Sequence, residues 1–409
     1  MDAFFAAVEV LVRPGLRGRP LVVGGEPGGR GVVATASYEA RQFGIQPGMS
    51  LTEAYGRCPG AVFLPGDPPK YLYYSIRMLE RLRAFSPLVE PFSIDEAFIE
   101  LEAAGDLPAG SAVGTRVQID IERTLGLSAS IGVGPNKLVA KMASRVRKPR
   151  GITQFDQAAF RRHFWPRAAG DLYGVGDKTA AALSELGIST IGDLAQAPPT
   201  LLGRRFGIVG RQLQLMAAGF DDTPVIPYYV GVPEKSMGHE HTLAQNDADP
   251  IRLEALLFRL VEQVARRLRK AGKRGRRLTV KLRFPDFKTI TRQRTLPEPS
   301  DEERTFFPLA RDLLHRNASS RPLRLVGFSV GDLSGGLPPI SLFASDGRYR
   351  DLLGAVDGLR DRFGENVFTR AKVMTGRSSR KSESRPEPRA VDIPHGRPQD
   401  RRSLRSRRV

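Results

Sequence analysis

Residues 92–98 read "FSIDEAF". Two acids, Asp95 and Glu96, stand side by side in a run that is otherwise apolar or small. Adjacent strand residues point to opposite faces. The pair can therefore share one ion only where the strand begins, bends or bulges, and Pro91 just ahead allows this. For an isolated Asp-Glu the plainer reading is one exposed acid and one salt-bridged acid. Here Phe92, Ile94, Ala97, Phe98 and Ile99 crowd the pair, and uncompensated buried charge is costly. A hard divalent cation such as Mg2+ offsets that cost and prefers carboxylate oxygen.

Outward from the pair, "PLVEPFSIDEAFIEL" at 87–101 reads as a hairpin of two strands. Upstream, residues 1–10 read as helix and 20–24 and 32–36 as short strands. Residues 69–84 read as a helix with Leu72, Ile76, Leu79 and Leu82 near 3.6 spacing. Downstream come a helix at about 112–125, a strand at 127–133 and a helix at about 136–146. Strand and helix in this alternation predict helices packed on a sheet. From about 165 to 225 the chain turns to short helices broken by glycines. Beyond 234 the order is strand, helix, strand, strand, helix, strand, with the helices at about 248–271 and 300–316.

The chain has 409 residues, enough for several domains, with ordinary hydrophobic (41%) and charged (26%) content. Its net charge of +19 is not ordinary and points to a polyanionic partner, nucleic acid ahead of a membrane surface. Residues 376–409 hold 11 Lys/Arg and 4 Asp/Glu with few large apolar groups, a composition that predicts a disordered basic tail. Residues 1–375 still carry +12, so the tail does not account for the basic signal. No apolar stretch approaches the ~18 residues of a membrane span. Asp2 and the lack of a basic start argue against a secretory signal. The lone cysteine, Cys58, excludes internal disulfides and fits a reducing cytoplasm. "HEH" at 239–241 reads as a polar strand rather than a ligand set.

"FSIDEAF", with "MDAFFAAVE" at the start, "ATASYEARQFGIQPGM" at 34–49 and "SIGVGPNKLVAKMAS" at 130–144, resembles the Y-family, or translesion, DNA polymerases, in particular the bacterial DNA polymerase IV group. The likeness runs in order from residue 1 to about 373. It implies an α+β right-hand polymerase. The palm (1–160) is ferredoxin-like and carries small fingers inserted at about 11–67. A helical thumb with a helix-hairpin-helix follows at 161–227, then a βαββαβ little finger at 232–345, an extension at 346–375 and the tail. The implied activity is error-prone, template-directed DNA synthesis past damage on primer-template DNA, with dNTPs, by a monomer. Two Mg2+ ions would activate the primer 3′-hydroxyl and neutralise the triphosphate. Asp95 would bridge the ions and Glu96 would complete the site. No additional acidic cluster suggests a proofreading nuclease.

The resemblance places a further metal-binding Asp immediately ahead of Met1. Three readings stay open: the true start lies upstream, Asp2 stands in, or the protein is a catalytically impaired DNA-binding accessory protein. A helix-hairpin-helix repair enzyme such as a glycosylase would not account for the metal and triphosphate motifs.

By the same resemblance Phe5 is a steric gate beneath the sugar C2′. Thr35, Ala36 and Ser37 make a loose roof over the nascent base pair. Tyr38 and Arg41, three apart on one helix face, and Lys137 at a helix start grip the triphosphate. "LYGVGDKTAAALSELGI" at 172–188 resembles a helix-hairpin-helix, whose turn holds a DNA phosphate through Gly174, Gly176 and Lys178. "FGIVGRQL" at 206–213 is a weaker second copy. Residues 266–294 hold 13 Lys/Arg against one acid, Asp286. Within them Leu278, Val280, Leu282 and Phe284 alternate with Arg277, Thr279, Lys281 and Arg283, which predicts a strand with one buried and one cationic face. "PPISLF" at 338–343 resembles a sliding-clamp peptide with anchors Ile340, Leu342 and Phe343, although Pro339 replaces its Gln.

Overall fold

The computed structural model describes residues 1–101, 107–231, 233–318, 321–335, 344–364 and 367–368. The chain divides into two units, the first covering residues 1–231 and the second beginning at Val232. The clamp-like segment 338–343 and the basic tail 376–409 lie outside the described residues. Among the described residues no helix is long and apolar enough to cross a membrane.

The first unit opens with α1 (Phe4–Val12), then β1 (Leu21–Val23), β2 (Thr35–Ala36), α2 (Tyr38–Arg41), α3 (Leu51–Arg57) and β3 (Val62–Leu64). β1 pairs antiparallel with β2 and parallel with β3. Val22, Val33, Ala36, Ala40, Ile45 and Leu51 close a small core around this sheet. In α4 (Pro68–Leu82) the Asp67 side chain accepts from Lys70 N at 3.2 Å, and Pro68 sits where its missing N–H costs nothing. The buried stripe of α4 is Tyr71, Ser75, Met78 and Leu82. Leu72, Ile76 and Leu79, expected at its centre, lie half-buried at its edge. The deviation comes from Tyr71 and Ser75, a phenol and a hydroxyl that a hydrophobic pattern does not count as core.

The hairpin expected at 87–101 is β4 (Val89–Pro91) and β5 (Ala97–Ile99), antiparallel with Glu90 opposite Phe98. α5 (Leu107–Leu125) leads to β6 (Ile131–Val133), α6 (Lys137–Ala143) and β7 (Ile152–Gln154), with β6 and β7 parallel. The single ferredoxin-like sheet expected here is present among the described residues as two two-stranded pieces. The first residues lie between them: Met1 N donates to Asp95 O at 2.7 Å, and Asp2 N to Ser128 O at 3.0 Å. The helical stretch follows as α7 (Gln157–Phe164), α8 (Asp177–Ser184), α9 (Ile191–Gln196), α10 (Pro199–Phe206) and α11 (Ile208–Ala217), packed around Phe160, Leu183, Ile191 and Leu202.

The second unit has the strand, helix, strand, strand, helix, strand order read from the sequence: β8 (Ser236–Asp247), α12 (Pro250–Lys270), β9 (Lys273–Arg283), β10 (Thr289–Ser300), α13 (Glu303–Ala318) and β11 (Leu323–Gly335). The strands form one antiparallel sheet in the order β10-β9-β11-β8. Leu278, Val280 and Leu282 are buried on its helix side with Leu257, Val261, Phe306 and Phe328. A further helix, α14 (Ala344–Phe363), is fastened to α12 by Arg269, which grips Asp357 at 2.7 and 3.1 Å, and by Arg266 and Asp361 at 2.7 Å.

Candidate active site and nucleic-acid surfaces

Asp95 and Glu96 sit in the turn that joins β4 to β5, so strand alternation does not apply to them. Phe92 N and Ser93 N both donate to Glu96 O, at 2.9 and 3.1 Å, which folds the loop back on itself. Ser93 Oγ donates to Asp95 Oδ1 at 2.8 Å and lies 3.4 Å from Glu96 Oε2. One hydroxyl thus touches both carboxylates and brings them to the same side. Glu96 is ion-paired with Lys141 of α6, which is buried under the rings of Phe92 (4.9 Å) and Tyr173 (5.8 Å). Burial alone would raise the Glu96 pKa. The hydrogen bond and charge of Lys141, with the amino terminus and Lys148, outweigh it and hold the carboxyl below its ordinary value. Two adjacent carboxylates suit Mg2+, which takes one or two protein carboxylates and completes its shell with water and substrate phosphate. Among the described residues no group of three or more His, Cys, Asp or Glu is placed to hold a metal. Asp2 commits both carboxylate oxygens elsewhere, accepting from Ser130 Oγ at 2.6 Å and from Arg150 N at 3.0 Å.

Phe5 projects from α1 and stacks on Tyr71 of α4, with ring centres 4.3 Å apart and planes 20° from parallel. Tyr71 is fixed in turn. Its hydroxyl donates to Glu9 Oε1 at 2.8 Å, and Lys70 Nζ donates to the same oxygen at 2.9 Å. Desolvation, then the hydrogen bond to Glu9 and the Glu9 charge, push the Tyr71 pKa far up.

Thr35 and Ala36 are β2 itself, and Ser37 caps α2, accepting from Ala40 N at 3.3 Å. On that short helix the Arg41 guanidinium lies 4.7 Å from the centre of the Tyr38 ring, and Arg41 Nε donates to Ala36 O at 3.1 Å. The Tyr38 hydroxyl is buried with no hydrogen-bond partner among the described residues. Burial, and then the charge of Asp2, raise its pKa against the opposing effect of Arg41. A buried orphan donor is costly, and a ligand oxygen would satisfy it.

Lys137 departs from the expectation. Its ammonium is 3.0 Å from Glu90 Oε2 and donates to Pro224 O at 2.8 Å. The cations gathered around Asp95 and Glu96 are instead Lys141, one turn along α6, and Lys148, which shares their pocket. Lys141 was readable as a neighbour of Lys137 at i+4. Lys148 lies beyond the helix in "RKPRG", and only the return of the chain toward the site brings it in.

At the expected helix-hairpin-helix, Gly174 has a φ of +90°, Val175 is buried, and Gly176 caps α8. Gly174, Gly176 and Lys178 are exposed, and the guanidinium-bearing Arg145 and Arg167 line the same cleft as the two glycines. The stretch expected as a weaker second copy falls on the end of α10, Gly207 (φ +61°) and α11, with Ile208 90% exposed.

The cationic strand is β9, with the predicted alternation, but it has acidic neighbours. Lys281 Nζ donates to Glu240 of β8 at 2.7 Å, and Arg277 Nε donates to Asp332 of β11 at 3.1 Å. Arg283 Nε donates to Thr289 Oγ1 at 2.8 Å. The rest of the basic run is divided among surfaces. Arg292 and Arg294 turn toward Asn317 and Asp312 of α13, while Arg266 and Arg269 meet α14. Sequence could not show these partners, because they come from strands and helices far along the chain.

The profile of the impB/mucB/samB family matches residues 1–145, and that of its C-terminal domain matches residues 234–342. DNA polymerase IV of Moorella thermoacetica is 41% identical over 384 residues, 92% of this chain and 95% of that protein. DNA polymerase IV of Caulobacter vibrioides is 38% identical over 387 residues, 92% of this chain and 93% of that one. A Y-family DNA polymerase chimera superposes with a TM-score of 0.73 at 26% identity, covering 82% of this chain and 98% of that chain. The chain belongs to the impB/mucB/samB family, the Y-family DNA polymerases, in the DNA polymerase IV group.

Proposed function

We propose that this DNA-directed DNA polymerase carries out error-prone translesion synthesis by nucleotidyl transfer from a dNTP to a primer 3′-hydroxyl, with Asp95 and Glu96 as the metal-holding carboxylates. The observation that carries the reading is the turn in which Ser93 brings both carboxylates together. A solved relative is an insertion ternary complex of Dbh DNA polymerase, 25% identical with a TM-score of 0.55. In this reading residues 1–160 are the palm with fingers at about 11–67, 161–227 the thumb and 232–345 the little finger.

Asp95 and Glu96 would hold two Mg2+ ions, which supply Lewis-acid stabilisation of the triphosphate and ease ionisation of the primer hydroxyl. Lys141 neutralises part of the Glu96 charge and fixes its direction. Tyr38 and Arg41 bind the β- and γ-phosphates, the Tyr38 hydroxyl gaining the acceptor it lacks. Lys148 adds positive charge from the other side. Phe5, backed by Tyr71, leaves no room for a 2′-hydroxyl. The helix-hairpin-helix turn at Gly174–Gly176 and the β9 face with Arg277, Lys281 and Arg283 hold duplex phosphates without reading bases. Ile340, Leu342 and Phe343 are the candidate anchors for a sliding clamp.

Primer extension with Asp95→Asn and Glu96→Gln tests this. Removing one charge from a site whose catalysis is largely electrostatic should lower kcat by roughly 10²–10³-fold or more. Retained activity in either folded variant refutes the assignment. A second reading, a catalytically impaired DNA-binding protein, draws on the commitment of Asp2 to Ser130 and Arg150. It requires that the unmodified chain bind primer-template yet fail to extend it in Mg2+.

A further inference from the structure

The segment 219–228, which follows α11, is fastened to the strand that leads into the candidate catalytic turn. Glu90 of β4 is the centre of the fastening. Its carboxylate accepts from Lys137 Nζ at 3.0 and 3.2 Å and from Ile226 N at 2.7 Å. Lys137 Nζ donates in addition to Pro224 O at 2.8 Å. Around this centre, Asn136 Nδ2 donates to Gly219 O at 2.9 Å, Leu138 N to Asp221 Oδ2 at 3.2 Å and Tyr228 N to Val89 O at 3.0 Å. The Arg83 guanidinium lies 3.8 Å from the centre of the Tyr228 ring. The Lys137 and Glu90 side chains are each only 16% exposed.

Among the described strands β4 pairs only with β5, over three residue pairs. A hairpin that short is marginal on its own. Segment 219–228 supplies bonds to β4 on the edge that no described strand covers, at Val89 and Glu90, five to seven residues ahead of Asp95 and Glu96 along the same hairpin. We propose that Lys137 and Glu90 form a buckle that ties this strap to β4 and so holds the turn bearing Asp95 and Glu96 in its productive position. Both are positioning residues and neither contacts substrate. The inference rests on the reading of Asp95 and Glu96 as the metal-holding pair. It replaces the triphosphate role expected for Lys137, because an ammonium shared between a carboxylate and a carbonyl has little capacity left for phosphate.

The buckle has a signature that triphosphate binding lacks: Glu90 must matter as much as Lys137. Steady-state single-nucleotide incorporation and backbone amide exchange are to be measured on Lys137→Met, Glu90→Gln, the double variant and Lys137→Arg. Displacement of a catalytic turn by a fraction of an ångström to an ångström costs roughly 10- to 100-fold. Each single variant should lower kcat by about that factor with KM for dNTP unchanged. The double variant should be no worse than either single, because the two act as one unit. Lys137→Arg should restore most of the rate. Exchange at Ile226, Tyr228, Phe92 and Ser93 should speed up in the impaired variants. A raised KM for dNTP in Lys137→Met, with Glu90→Gln silent and exchange unchanged, overturns the buckle and returns Lys137 to the triphosphate. Faster exchange at both segments with kcat intact overturns the positioning role and counts against the catalytic reading of the turn, not against the strap.

Discussion

Replacing Phe5 by Ala should open the sugar site to ribonucleotides by an amount the geometry bounds. Phe5 cannot yield to an extra oxygen by sliding backward, because the Tyr71 ring lies against it at 4.3 Å and nearly parallel. Tyr71 cannot yield either, since its hydroxyl is bonded to a Glu9 carboxylate that is 1% exposed. Forcing additional atoms into a close-packed site costs about 1–3 kcal/mol. At about 1.4 kcal/mol per tenfold, the stack should contribute roughly 5- to 150-fold of discrimination, with the doubly backed ring favouring the upper end. Phe5→Ala should lose that factor when dNTP and rNTP incorporation are compared opposite one template base. Tyr71→Ala should lose part of it by letting the Phe5 ring retreat. Tyr71→Phe keeps the ring but frees it from Glu9; it should lose less selectivity than Tyr71→Ala, while removing a hydrogen bond to a buried carboxylate should cost about 1–3 kcal/mol of stability. A folded Phe5→Ala enzyme with unchanged sugar selectivity would refute the stacked-gate argument, whatever its absolute rate.

Tyr38→Phe should raise KM for dNTP while leaving the free protein as stable or more stable, because the hydroxyl it removes has no partner among the described residues; thermal melts with and without dNTP would show a gain in the free protein and a smaller ligand-induced shift. Glu240→Gln should tighten duplex binding at low salt by releasing Lys281 from its acid, and a titration that shows no change would deny β9 its hold on phosphate. Alanine at Arg277, Lys281 and Arg283 together should flatten the dependence of log K on log salt by about 0.9 for each phosphate no longer neutralised. Asp120 is held below the ordinary carboxylate range by hydrogen bonds from Arg81, then against burial by the Arg81 charge. Its contribution to stability is full above the unfolded carboxyl pKa of about 3.9 and is lost as pH falls through the lower folded value. Asp120→Asn should therefore destabilise at neutral pH and lessen the acid dependence of urea midpoints.

The order of elements in the second unit was legible because periodicity is local: α12 and the alternation in β9 needed nothing beyond their own residues, whereas α3, β3 and β7 of the first unit, three to seven residues each, are too short to show a period. The acid pair was legible as a candidate site because two charges among Phe92, Ile94 and Phe98 need a reason. What the sequence concealed was partnership. It could not show that Glu240 and Asp332, each on a different strand, would face Lys281 and Arg277. Nor could it show that Glu90 and Pro224 would claim Lys137. Tyr71 escaped the core reading of α4 because its burial depends on Phe5 and Glu9 arriving from α1. The turn at 92–96 escaped the strand reading because the bonds from Phe92 N and Ser93 N to Glu96 O are set by backbone path, which side-chain type does not encode.

In the proposed reading β9 meets the duplex with cations that already carry protein carboxylates as counter-ions, so each grip on a phosphate would exchange one partner for another at small net gain. On that reading Lys281 and Arg277 would favour a short dwell on the template, each ion pair with Glu240 or Asp332 re-forming as the duplex leaves.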